Sequence, residues 1–168
     1  PNGASKILVY GHGGCGKSTE LVKLIDEISD DYYCVSFSVK DEMQLVDVKA
    51  TDLVLVMMQQ LMEKVEADEL EVNPDHLDPI INYFTEVTTK EVSSNEASIA
   101  TGAEASVGGG ILGLGKLLAS FRGEIKHSNK VDETRVSKLR NRPTDLLAYA
   151  QILVNEVNAA LDKNNRRL

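Results

Sequence analysis

The sequence predicts an α/β domain, with a parallel sheet between two layers of helices. Three observations predict it. A short apolar run, Lys6-Ile7-Leu8-Val9-Tyr10, leads into a glycine-rich loop, Gly11-His12-Gly13-Gly14-Cys15-Gly16-Lys17-Ser18. Leu21, Leu24, Ile25 and Ile28 then recur at helical spacing, which predicts an amphipathic helix over residues 17–29. Directly after it, Tyr33, Val35, Phe37 and Val39 alternate with Cys34, Ser36 and Ser38, the period of a strand. Strand, loop, helix, strand is the order of a βαβ unit, so the sheet is expected to start with residues 6–10 and 33–39.

The loop is the most informative stretch. It has the complete pattern GxxxxGK[ST], a Walker A phosphate loop, in the strand-to-helix context that the motif requires. Each part has a task on a nucleoside triphosphate. Gly11, Gly13, Gly14 and Gly16 let the chain curl until backbone N–H groups, that of Cys15 among them, point inward as a cradle for phosphate oxygens. Lys17 reaches the β- and γ-phosphates and is the expected catalytic cation, and the Ser18 hydroxyl is the expected ligand of Mg²⁺. Thr19 is placed to approach the α-phosphate, and as a polar residue of the first helical turn it has an equally good structural reason to be there. The N-terminus of the helix adds partial positive charge. The His12 and Cys15 side chains occupy variable positions, where the backbone does the binding. The expected ligand is therefore a nucleoside triphosphate or diphosphate with Mg²⁺, and the expected fold is a three-layer αβα P-loop NTPase.

Composition narrows the classes. The chain has 168 residues, of which 42% are hydrophobic and 26% charged, ordinary for one globular domain. Two cysteines, Cys15 and Cys34, and no secretory leader point to a reducing cytoplasm without structural disulfides. The net charge of −8 argues against generic nucleic-acid binding. The charge is uneven: residues 1–115 carry −13 and residues 116–168 carry +5. The longest uncharged apolar and glycine stretch is 11 residues, against about 20 for a membrane span.

The remaining elements follow in order. Residues 41–49 read as a polar connection. Leu53, Val54, Met57, Met58, Leu61, Met62 and Val65 form a stripe that predicts a helix over 52–66. Asn73-Pro74-Asp75 signals a turn and helix entry. Leu77, Ile80, Ile81, Phe84 and Val87 give the next helix, with Pro79 placed in its first turn. Residues 93–115 read as an irregular, mobile insertion, rich in Ser, Thr and Glu and then in Gly. Leu117, Leu118 and Phe121 suggest a short helix. Arg122, Lys126, Lys130, Arg135, Lys138, Arg140 and Arg142 make the segment 122–142 basic. A solvated helical face explains it first, and a phosphate or nucleic-acid patch second. Pro143-Thr144-Asp145 opens a long helix over 144–161, lined by Leu146, Leu147, Ala150, Leu153, Val154, Val157, Ala160 and Leu161.

A P-loop NTPase also needs a Walker B strand ending in an acid that holds Mg²⁺. Ile152-Leu153-Val154-Asn155-Glu156 comes nearest, with Asn where the acid belongs, inside a helical period. The first residue is Pro1, not Met, and the sequence stops after a long helix. The expectation is a partial domain, 1–168, whose sheet is incomplete and whose Walker B strand lies beyond residue 168. Such a chain would bind nucleotide and hardly hydrolyse it.

The loop with Thr19, the strand-like stretch ending Lys40-Asp41-Glu42, the segment Leu118-Ala119-Ser120-Phe121-Arg122-Gly123 and the later Arg142-Pro143-Thr144-Asp145-Leu146-Leu147 resemble bacterial STAND or AAA-like signalling ATPases of the KAP-like kind. The resemblance implies an ATP-driven switch in defence or stress signalling, with a protein partner or self-assembly as its output. The residues Gly13 to Thr19 are also similar to the loop of ParA/MinD-like partitioning ATPases. That loop needs a second lysine where this chain has His12. A small-molecule kinase and a non-catalytic, nucleotide-gated interaction module are further readings.

Overall fold

A computed structural model describes residues 7–43, 48–89, 110–127, 139–163 and 168. Among the described residues the main helices are α1 (Lys17–Ile28), α2 (Val39–Glu42), α3 (Ala50–Ala67), α4 (Pro74–Thr89), α5 (Ile111–His127) and α6 (Pro143–Asp162). No strand is formed among the described residues, which corrects the expected αβα architecture. The two stretches read as strands fail for a common reason. A strand becomes a sheet only when a neighbour takes up its N–H and C=O groups all along it, and among the described residues nothing more regular than a single bridge, at Tyr32, is formed. Residues 7–10 lie in the open, with Ile7 and Leu8 each 85% exposed and Tyr10 87%. Residues 33–38 keep the predicted two-sidedness: Tyr33 is buried and Val35 and Phe37 pack on the core, while Ser36 and Ser38 face out. Val39, read as the strand's last residue, instead starts α2. The supposed polar connection that follows buries both Glu42 and Met43.

The core is a four-helix bundle. α3 and α4 each pack against both α5 and α6. Side-chain pairs fix the directions. His76 meets Glu156 and Tyr83 stacks on Tyr149, so rising positions on α4 meet falling positions on α6, and the two helices are antiparallel. Arg122 reaches Glu63, and a Cβ on Gly115 would sit 3.7 Å from the Glu66 carboxylate, so α3 and α5 are antiparallel too. Gly110 lies against Pro74 and Phe121 against Phe84, so α4 and α5 run the same way. The bundle is thus up, down, down, up, and residues 90–109 join the end of one down helix to the start of the next. One long crossover of this kind is a known bundle topology.

The packing follows the apolar stripes. Leu55, Met58, Met62 and Val65 of α3, Leu77, Ile80 and Phe84 of α4, Leu114, Leu118 and Phe121 of α5, and Leu146, Leu153 and Val157 of α6 are buried together. Each such side chain contributes roughly 1.5–3 kcal/mol relative to exposure. α3 and α6 begin and end within two residues of their predicted limits. α4 starts at Pro74, so Pro79 sits in its interior and not in its first turn. α5 corrects the expected insertion. Residues 111–115 are helical, with Gly113 and Leu114 buried, and the rest of that insertion, 93–109, lies outside the described residues. The stripe Ile111, Leu114, Leu117, Leu118, Phe121, Ile125 was hidden by Gly113 and Gly115.

Two arginines close one side of the bundle. Arg140 donates from Nε to Asp52 Oδ1 at 3.0 Å and from Nη2 to Asp52 Oδ2 at 2.7 Å, a two-pronged pair on a carboxylate that is 2% exposed. Asp52 Oδ2 also accepts the Lys49 N–H at the start of α3. Arg122 pairs with Glu42 of α2 and Glu63 of α3. Two of the seven cations in the basic segment are therefore spent on the bundle's own carboxylates.

Tyr83 supplies a first test. Its hydroxyl is buried without a hydrogen-bond partner, and its pKa is raised from 10.0, first by burial and then by Asp145. An unpartnered buried hydroxyl costs roughly 1–3 kcal/mol. Tyr83→Phe keeps the ring stacked on Tyr149 and is expected to stabilise the chain by about 1 kcal/mol in urea unfolding. The raised pKa means that the folded state holds its proton longer than the unfolded chain does. The stability of the parent is therefore constant below pH 10 on this account and falls as pH rises past it. The variant should lack this part of the alkaline loss. Equal alkaline profiles would remove Tyr83 as its source.

Candidate functional site

α1 begins at Lys17, immediately after the glycine-rich loop, and Glu20 N–H bonds back to Gly16 C=O as its first turn closes. Gly16, the residue before the helix, has φ +86° and Gly14 has φ +79°. Both are in the left-handed region, where a Cβ is unfavourable, which is why the curl falls on glycines. A Cβ at Gly13, Gly14 or Gly16 would meet no atom within 4 Å, so these positions face open space. No side chain caps the helix. The first N–H groups of any helix lack an acceptor one turn earlier, so here they are left to a ligand or to water.

Lys17 folds back over this loop. Its Nζ donates to Gly11 C=O at 2.9 Å and to His12 C=O at 2.8 Å, and it lies 3.5 Å from Cys15 Sγ. The ammonium thus folds back onto the loop backbone and is held by two of its carbonyls. Ser18 and Thr19, on the first turn of α1, are exposed. The sequence-predicted site residues Gly11, Gly13, Gly14, Cys15, Gly16, Lys17, Ser18 and Thr19 are neighbours along the chain and lie together in one accessible stretch. The structure also adds a residue that the motif passes over. His12 enters through its backbone carbonyl, which no side-chain pattern announces.

The arrangement has the parts a polyphosphate requires. Backbone amides and a helix N-terminus supply diffuse positive charge, and Lys17 supplies a full one. Ser18 offers a hard oxygen of the kind Mg²⁺ accepts. The open space beside three glycines fits a group that must approach the backbone closely. Among the described residues no group of three or more His, Cys, Asp or Glu side chains could hold a metal by itself.

Around the loop the apolar surface is uncovered. Besides residues 7–10, Leu21, Val22 and Leu24 of α1 are exposed, and no residue of α1 is buried. Ile152 to Glu156, the nearest match to a Walker B strand, lies inside α6, with Leu153 fully buried. Of the basic segment, residues 128–138 lie outside the described residues. No helix among the described residues is long and apolar enough to cross a membrane. Comparison of the chain with models of protein families, with curated proteins and with solved structures finds no match.

Proposed function

We propose that the loop of residues 11–18 binds the phosphates of ATP or ADP with Mg²⁺, and that the chain is the nucleotide-binding module of an ATP-driven switch. The observation that carries this reading is the Lys17 ammonium folded back onto a loop whose two left-handed glycines lead into a helix N-terminus. In this reading Lys17 neutralises charge on the β- and γ-phosphate oxygens, the loop amides hold the remaining oxygens, and Ser18 takes one position on Mg²⁺. Mg²⁺ would supply charge neutralisation between the two phosphates. Adenine over guanine follows the family resemblance, as does a role in defence or stress signalling. The uncovered apolar side chains of residues 7–10 and of α1 support a protein partner or self-assembly as the output.

Calorimetry tests the reading. Lys17→Ala is expected to weaken Mg²⁺·ATP at least tenfold, about 1.4 kcal/mol. Ser18→Ala is expected to abolish the gain in affinity that Mg²⁺ gives over EDTA. Equal affinity of parent and Lys17→Ala sinks the assignment.

A further inference from the structure

Leu21, Leu24, Ile25 and Ile28 fall on one face of α1, at the spacing of a helix that packs. Most of that face is open. Leu21 is 45% exposed and Leu24 47%, Val22 beside them is 58% exposed, and no residue of α1 is buried. A helix of 12 residues is marginal in water by itself and is normally held by the packing of its apolar face. α1 therefore offers a surface to a further element, and its charge says of which kind. Glu20 and Glu27, one turn to either side of Leu24, border the apolar stripe. Asp26 and Glu27 stand in the last turn, and Asp30 and Asp31 follow it. All four are exposed, and no basic residue stands in that turn. A helix C-terminus carries partial negative charge, so these carboxylates are at its unfavourable end, and a cation brought there relieves both. We propose that the apolar face of α1 is a docking site for a cationic amphipathic helix of a partner protein. Its apolar side chains would cover Leu21 and Leu24, and its lysines or arginines would meet Asp26, Glu27, Asp30 and Asp31. The proposal rests on the reading of these apolar residues as a partner surface and names the partner's chemistry. It is independent of phosphate binding at the loop.

The lysines of α1 do not serve this end of the helix. Lys23 pairs with Glu20 at 2.8 Å, and Lys17 is turned to the carbonyls of Gly11 and His12. The same charges disfavour a second copy as the occupant. Two antiparallel α1 helices would set the edge of Glu20 and Glu27 against the same edge of the other. Two parallel ones would gather the acids of both C-termini. Like charges so juxtaposed are repelled, whereas a helix with cations beside its apolar stripe meets opposite charge.

Fluorescence anisotropy reads the interaction with a labelled amphipathic peptide of leucine and lysine, about four helical turns long. The peptide is expected to bind the chain, and the same leucine pattern carrying glutamate in place of lysine to bind at least about tenfold more weakly. Added salt is expected to weaken the first, since the carboxylates are exposed. Leu21→Ser with Leu24→Ser is expected to weaken it about tenfold. Met57→Ser, on α3 and 52% exposed, is expected to leave it unchanged. Asp26→Lys, Glu27→Lys, Asp30→Lys and Asp31→Lys together favour the end of α1 and are expected to reverse the preference, to the glutamate peptide. Unfolding of α1 would weaken both peptides alike, so the reversal separates docking from loss of the helix. Equal binding of the two peptides to the parent, or a preference that the lysine substitutions leave unchanged, overturns the cationic partner. Self-association in sedimentation velocity that Leu21→Ser with Leu24→Ser abolishes would assign the face to a second copy. It would overturn the proposal and leave the partner-surface reading standing. A monomer that binds neither peptide removes both.

Discussion

Phe84→Ala is expected to destabilise the chain by about 3–5 kcal/mol, the largest single-residue effect in the molecule. Phe84 is fully buried on α4 and packs against α5. Its ring lies 5.3 Å from that of Phe121 on α5 and 5.3 Å edge-on from Tyr83 of its own helix, and Tyr83 in turn stacks on Tyr149 of α6 at 4.4 Å. Truncation to alanine therefore loses the transfer of a large ring from water and opens a cavity between α4 and α5. The bundle has little capacity to collapse into that space, because Phe121, Leu77 and Ile80 are themselves fully buried around it. Urea unfolding followed by far-ultraviolet circular dichroism reads the effect. A loss under 1 kcal/mol would mean that the four helices do not pack as described.

Arg140→Ala is expected to cost about 3 kcal/mol, and more than Asp52→Asn. The reasoning is asymmetric. Asp52 is nearly inaccessible, and its carboxylate is held by both prongs of Arg140 as well as by the Lys49 amide. Removing the arginine leaves a buried anion with one neutral donor, the costly way to break such a pair. Asp52→Asn removes the charge with the group's volume kept, and Arg140, which is 29% exposed, can turn to water. Thermal unfolding of the two variants compares them directly. A larger loss in Asp52→Asn would show that the helix start, and not the buried charge, depends on this pair.

The arginine pairings were not legible in the sequence, and the reason is distance along the chain. Arg140 and Asp52 are 88 residues apart, Arg122 and Glu63 are 59 apart, and nothing local marks a cation as paired. Read locally, the same residues make a basic segment. α3 and α6 were legible because a continuous apolar stripe runs through each without glycine. α5 was not, since Gly113 and Gly115 read as mobility although both lie within the helix. The strands were misread because alternation reports only that one side of a segment is buried. Tyr33, Val35 and Phe37 do bury one side, on the core of helices, and no strand is formed among the described residues. The backbone conformation of residues 11–17 was legible in part, because the glycine pattern encodes it. The left-handed glycines fall at Gly14 and Gly16, and Lys17 points back over the arc. What the pattern left out are the His12 carbonyl and the Cys15 sulfur, since neither contact depends on a residue type that the motif prescribes.

The central claim is that this arc is a phosphate site. Titration of the ¹⁵N-labelled chain with Mg²⁺·ATP, followed by amide chemical shifts, tests it most directly, because the proposed ligands are themselves amides. The account predicts that the largest shifts fall on Gly13, Gly14, Cys15, Gly16, Lys17 and Ser18. It also predicts that the bundle residues Leu77, Leu118 and Leu153 do not move, and that Lys17→Ala suppresses the whole pattern. Shifts centred away from residues 11–19, or none at millimolar nucleotide, would contradict it.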